Sequence, residues 1–287
     1  MTAAITNKQL SLLSLWLGNY TVLHDYSWPL QDTTVLHVST PGSGECIIKA
    51  SVTSHHIRRE ISAYSNGLPG LEGKVPVLKH AAPDAGLLVT SYLPGVLVAG
   101  TAAETAPETY RQAGAPLATL HRPVGTSRDY AVSLAKKTHS WINRAHGLVP
   151  EDKLRRLAAD LAALDPGPAQ LVTTHGDYQP RNWLHEHGTV KVIDFGRAEA
   201  RPWVHDLVRL SHQQLLASPG LSAAFYDGFG RGVSSDSERA LWRLENLNQA
   251  IGTVVWAHQV GDPGFEQQGL GMVDRALGGF EPMDVRR

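Results

Sequence analysis

Two aspartates and an asparagine fall within 18 residues of this sequence, and their spacing constrains the chain more than any other feature. Asp177 and Asn182 belong to the run His175-Gly176-Asp177-Tyr178-Gln179-Pro180-Arg181-Asn182; Asp194-Phe195-Gly196 begins twelve residues after Asn182. Short apolar runs adjoin both polar segments: Leu171–Thr174 before the first, Trp183–His185 and Val190–Ile193 between the two. That alternation predicts two loops flanking a short hairpin, so that the three side chains converge on one point. Asn182 and Asp194 then offer hard oxygen ligands of the kind Mg²⁺ prefers, with water and phosphate oxygens completing its shell. Asp177, five residues before Asn182, faces the same point without holding the metal, where a base accepts a proton from a hydroxyl.

The rest of the chain reads as strands followed by helices. Thr6 caps a helix carrying Leu10, Leu13 and Leu17 and stopped by Gly18. Strands are expected at Tyr20–Ser27, Thr33–Ser39, Glu45–Ala50, Val75–His80 and Leu87–Tyr92, with one helix, Ser54–Ser65, among them. Past Pro94-Gly95 the pattern turns helical, over Pro107–His121, 128–146, 150–164 and most of the chain beyond Pro202. The prediction is an α+β chain with a small β-rich N-lobe over 1–95 and a larger, mainly α C-lobe over 96–287.

Composition narrows the function. The 26 Lys+Arg and 27 Asp+Glu nearly cancel, which argues against a nucleic-acid binder. Cys46 is the single cysteine, so there is neither an intrachain disulfide nor a cysteine-based zinc site, and a reducing cytoplasm is the expected location. No signal peptide is read at the N-terminus, and no window is apolar enough for a membrane span. The oligomeric state is not readable.

The paired motifs resemble the catalytic loop and metal-binding Asp-Phe-Gly of the protein-kinase-like fold. The His-Gly-Asp form, in place of His-Arg-Asp, resembles the aminoglycoside phosphotransferase family, whose relatives include choline, homoserine and fructosamine kinases. The likeness runs from about Tyr20 to Leu210. It implies a bilobal kinase-like fold with ATP or GTP between the lobes, Mg²⁺ on Asn182 and Asp194, and Asp177 as the base. Cys46-Ile47-Ile48-Lys49-Ala50 matches the strand whose lysine contacts the nucleotide's phosphates, and Glu60, eleven residues on, matches the helix glutamate that holds this lysine. By position the resemblance also offers Ser27 as a phosphate contact, near the glycine-free turn Trp28–Asp32, and the main-chain groups of Ser91 and Leu93 as hinge contacts to the base. Leu120-His121 and Asp206-Leu207 match structural positions of the family. His55, His56, His185 and His187 read as solvated, and Arg197 and Arg201 as candidate phosphoryl contacts or partners of acids such as Glu199.

The acceptor implied is a small-molecule hydroxyl. An antibiotic comes first, either an aminoglycoside or a cationic cyclic peptide such as capreomycin or viomycin; a metabolic acceptor (choline, homoserine, a sugar) or a non-catalytic binding module are the rivals. Residues 199–287 carry 11 acids and 8 bases. Glu238, Glu245, Asp262 and Glu266 fall on or beside the expected final helices, where a cationic acceptor would meet them; a solvated helix face is the alternative.

Overall fold

A computed structural model describes residues 5–28, 32–42, 44–53 and 55–281. The centre of the expected turn, Pro29-Leu30-Gln31, lies outside the described residues, as do Ser43 and Ser54. In chain order the elements are α1 (Asn7–Leu17), β1 (Thr21–Asp25), β2 (Thr34–Thr40), β3 (Gly44–Ala50), α2 (His55–Ser65), β4 (Leu78–Ala82), β5 (Leu87–Ser91), β6 (Val96–Leu97) and α3 (Pro107–Leu120). Next come β7 (Pro123–Ser127), α4 (Tyr130–Arg144), α5 (Glu151–Ala163), β8 (Ala169–Thr174), β9 (Trp183–Glu186), β10 (Thr189–Val192) and β11 (Glu199–Arg201). Five helices end the described chain: α6 (His205–His212), α7 (Gln214–Ala217), α8 (Pro219–Phe229), α9 (Asp236–Val260) and α10 (Pro263–Leu277). None of these is long and apolar enough to cross a membrane. The chain forms two compact units: Met1–Thr109 with His175–Glu199, and Tyr110–Thr174 with Ala200–Arg287.

The first unit is built on a five-stranded antiparallel sheet of order β1-β2-β3-β5-β4. Side chains alternate across a strand. On β3, Cys46, Ile48 and Ala50 turn inward and pack with Leu13, Leu17, Val38, Leu87 and Val89 under α1. The same alternation puts Lys49 on the opposite face, where Ile57 and Ile61 of α2 pack on Leu88. At the start of α1, Thr6 and Gln9 form the reciprocal capping box, and the Gln9 amide reaches the Ala85 carbonyl at 2.7 Å. Residues 175–199 add β9 and β10, which pair with β6 in the order β10-β9-β6. The β9–β10 hairpin turns through His187 and Gly188, both with positive φ (46° and 78°), the backbone that a two-residue hairpin loop needs.

The second unit is mainly helical, with a small sheet of order β11-β8-β7. Its core collects Ile142 from α4, Leu154 and Leu157 from α5, Leu247, Ile251 and Val254 from α9, and Met272 and Val273 from α10. The 25-residue α9 begins at the Ser235 cap and ends on Gly261 in the left-handed conformation. Trp203 and Trp242 are buried, while Trp256 stays half-exposed against the Phe265 ring. Helices α3 and α8 touch through glycine. A Cβ on Gly228 would stand 1.8 Å from the Arg111 carbonyl, and one on Gly114 2.4 Å from that of Phe225. No side-chain rotation relieves a clash with backbone. Gly228→Ala is therefore expected to destabilise the protein by about 3 kcal/mol, read as a lower urea midpoint; an unchanged midpoint would refute the close approach.

Candidate active site

The functional side chains of the first unit meet because β3 and α2 carry one half and the loops around the β9–β10 hairpin carry the other. Lys49 Nζ donates to both Glu60 oxygens, at 2.7 and 3.0 Å, and to Asp194 Oδ1 at 2.9 Å. Glu60 is buried (3% exposed) and also accepts from the Tyr64 hydroxyl one turn further along α2. Burial alone would lower the Lys49 ammonium; the Asp194 and Glu60 carboxylates overcome it and hold the group above its ordinary value. Asp194 is shifted down, chiefly by the Lys49 charge, whereas Glu60 is shifted up by burial, which its lysine only partly offsets.

The second half is tied together through its main chain. The Asn182 carbonyl accepts from the Ile193 amide at 3.0 Å, and His175 Nε2 meets the Ile193 carbonyl at the same distance. The Asp177 amide donates to His175 Nδ1 at 3.3 Å, which leaves the imidazole proton on Nε2, facing Ile193. Next in the chain, Asp194 has φ +66°, a left-handed backbone that costs a non-glycine residue. Phe195 is fully buried, its ring 4.8 Å from His175 and 5.5 Å from Tyr64. The Gly196 carbonyl meets His56 Nδ1 at 2.9 Å. This corrects the expectation for His56, which is no solvated residue: burial lowers its pKa, and it ties α2 to the chain just past Asp194.

Asp177 is buried, and its carboxylate is met by Gln179 and by Arg181 Nη2, the latter at 3.0 Å from Oδ1 and 2.8 Å from Oδ2. The Asn182 amide donates to the Asp177 carbonyl at 2.8 Å. With its nitrogen so engaged, Asn182 has its side-chain oxygen left over as a hard donor. Asp194 is half-exposed and has one oxygen on Lys49. An amide oxygen and a carboxylate oxygen suit Mg²⁺ shared with water and phosphates. Among the described residues no group of three or more His, Cys, Asp or Glu forms an all-protein metal cage.

The remaining candidates sit in more ordinary surroundings. Ser27 Oγ accepts from the Val35 amide at 2.9 Å and helps join β1 to β2. The Ser91 amide donates to the Val77 carbonyl at 2.8 Å, whereas the Leu93 main chain has no hydrogen-bond partner among the described residues. In the second unit each acid already has a local partner. Glu238 accepts from Trp203 Nε1 at 2.9 Å, Arg231 at 2.7 Å and the Ser234 amide at 2.9 Å. Burial pushes its carboxyl up, but these donors prevail and bring its pKa down to about 2. Glu245 is buried between the Tyr130 hydroxyl and His205 Nδ1. Asp262 caps α10 through the Phe265 amide, and Glu266 lies 3.2 Å from His258. His121 and Asp206, matched separately in the sequence, form one buried pair at 2.9 Å. Glu199 pairs with Arg59, and Arg201 approaches the Thr174 hydroxyl at 3.5 Å.

Sequence reasoning missed Gln179 and Arg181 on Asp177, and His56 on Gly196. The only signal for the first pair was their place inside the motif itself.

Comparison with known proteins bears on this geometry. The model of the phosphotransferase enzyme family, APH, matches residues 57–243, more than half of the chain and a stretch that includes Glu60, Asp177, Asn182 and Asp194. No curated protein sequence matches significantly. Among solved structures, the chain is similar to the macrolide 2′-phosphotransferase MphH from Brachybacterium faecium, with a TM-score of 0.61 and 17% identity over 93% of this chain and 97% of that one. APH(2″)-IIia, solved with GDP and kanamycin, gives a TM-score of 0.66 and 13% identity, covering 95% and 99% of the two chains. A choline kinase from Cryptosporidium parvum gives 0.62 and 11%, with 94% of each chain covered. At these identities the likeness is one of fold.

Proposed function

Because the chain belongs to the phosphotransferase enzyme family and is a phosphotransferase acting on a hydroxyl group, we propose that it transfers the γ-phosphoryl group of ATP to a hydroxyl of an antibiotic. The observation that carries this reading is Lys49 held between Glu60 and Asp194 in the same compact unit as the clamped Asp177. Lys49 fixes the nucleotide's phosphates and Glu60 fixes Lys49. Asn182 and Asp194 would hold Mg²⁺, which when bound neutralises charge on the phosphates. Asp177 orients the acceptor hydroxyl and takes its proton. Leu93 is the free main-chain partner for the nucleobase, with Ser91 beside it, and Ser27 is kept as a phosphate contact. Catalysis of this kind is mostly alignment and electrostatic stabilisation.

The nucleotide is ATP in the first instance, with GTP as the alternative; APH(2″)-IIia, solved with GDP, has the same fold. The acceptor is proposed to be an aminoglycoside or a cationic cyclic peptide. Of the four C-terminal acids, Asp262 and Glu266 lie at the most accessible place, the start of α10, and are those to which such a cation would respond. The choline kinase neighbour supports a metabolic acceptor as the second reading. Residues 1–95 serve as the nucleotide lobe in this proposal and 96–287 supply catalysis and acceptor binding, in a nucleotide-rich cytoplasm.

A nucleotide-consumption screen over aminoglycosides, cyclic peptides, macrolides, choline, homoserine and sugars, with mass spectrometry of the product, tests the reading. Acceptor-dependent consumption with a mass gain of one phosphoryl group is expected; none with any acceptor would point to a binding module. A cationic acceptor should show a KM that rises several-fold with salt, more than the KM for nucleotide. Lys49→Met should raise the nucleotide KM and lower kcat, and Glu60→Gln should do so partially. Because Glu60 acts through Lys49, a double-mutant cycle should show coupling of about 1–3 kcal/mol. Strict additivity would mean that the pair seen in the structure is not used.

A further inference from the structure

The turn Gln179–Asn182 folds back on Asp177. Three of its side chains reach that one residue: Gln179 and Arg181 the carboxylate, Asn182 the carbonyl. The turn is a single 3₁₀ turn begun by the buried Pro180 and closed by the Asn182 amide on the Gln179 carbonyl at 2.8 Å. Arg181 differs from the other two. Its side chain is 53% exposed, yet its Nη2 straddles both oxygens of a carboxylate that is only 7% exposed.

We propose that Arg181 is a positioning residue for the reaction: it fixes the plane of the Asp177 carboxylate so that one lone pair meets the acceptor hydroxyl. The inference rests on the reading of Asp177 as the base. The argument is geometric. Rotation of a carboxyl group about its last side-chain torsion is soft and two-fold. A base that turns freely presents its lone pair to the hydroxyl for only part of the time, and misplacement of about 1 Å costs about 10²-fold in rate. Gln179 holds Oδ1 alone and still permits a swing about that oxygen; a donor on both oxygens stops it. Arginine suits the task because it stays charged at every working pH and leaves no buried carboxylate without a counter-charge.

The test uses the full chain and the acceptor found by the screen. Arg181→Ala should lower kcat about 10²-fold and leave the nucleotide KM within about two-fold. Arg181→Lys, which keeps the charge but not the planar guanidinium or its reach to both oxygens, should recover only part of the loss, and added guanidinium ion should rescue Arg181→Ala several-fold. In an Asp177→Asn background the same change should cost nothing more, since the group it orients is gone. Arg181→Gln supplies the same comparison should the alanine variant lose its fold. A kcat within two-fold of wild type overturns the role, as does a loss confined to nucleotide KM. A rise in kcat also overturns it, by making Arg181 a brake on the base. These outcomes differ from failure of the underlying reading, in which wild type phosphorylates no acceptor and the role falls with it.

Discussion

Asp194→Ala is expected to abolish metal-dependent turnover, lowering kcat at least ~10³-fold, because the loss of a metal's anionic anchor is worth several kcal/mol at about 1.4 kcal/mol per decade. Two effects add. In the proposed site a divalent ion would be left with only the neutral Asn182 oxygen, and Lys49 with Glu60 alone. The fold should survive, since the Asp194 side chain is half-exposed. Its backbone is a separate matter: alanine at φ +66° costs about 1–2 kcal/mol. Asp194→Asn removes the charge while tolerating that backbone better, and it should lose nearly as much activity with less loss of stability. Calorimetry decides the point. Undiminished binding of the magnesium–nucleotide complex to either variant would remove Asp194 from the metal site.

Asp177→Asn should lower kcat by ~10²–10⁴-fold, the usual worth of a general base, with the nucleotide KM nearly unchanged. The variant keeps the residue's size and its carbonyl, which Asn182 uses. Arg181, however, loses its anionic partner and should become more mobile. Steady-state kinetics with the identified acceptor provides the measure, and activity within a few-fold of wild type would dismiss Asp177 as the base. The order of the two effects also matters. Asp194→Ala should impair nucleotide binding and chemistry together, whereas Asp177→Asn should impair chemistry alone.

Much of this arrangement was legible in the amino-acid sequence, for reasons that are local. The strand expected at Glu45–Ala50 carries Lys49 and the helix expected at Ser54–Ser65 carries Glu60; strand alternation then sets Lys49 on the face opposite Cys46 and Ile48, where Ile57 and Ile61 of α2 pack. Strand β7 was missed because Pro123 and Gly125 mask it; it exists only through pairing with β8, which no local signal records. Glu238 and Glu245 show another limit. Their spacing of seven does put them on one face of α9, but periodicity does not say which way that face looks. Glu245 is buried on His205 and Tyr130, while Glu238, partly exposed, is taken up by Trp203 and Arg231, so both acids already have partners within the chain. His56 was misread for the same kind of reason. Its partner, the Gly196 carbonyl, lies 140 residues away in the chain.

The first compact unit is discontinuous, interrupted after Thr109 and resumed at His175. During synthesis the ribosome therefore delivers Lys49 and Glu60 long before Asp194, 145 residues downstream of the lysine. At roughly 5–20 residues per second, a nascent chain waits on the order of ten seconds for the missing piece. Until then β6 has no β9 to pair with, and the lysine–glutamate pair lacks its third member. The same interruption governs how the gene can be divided. A fragment ending at Thr109 carries the sheet but none of the residues of the loop motifs, and a fragment beginning at Tyr110 carries those motifs without the strands they complete. Complementation by two separately expressed pieces would have to rebuild a unit whose parts lie on both.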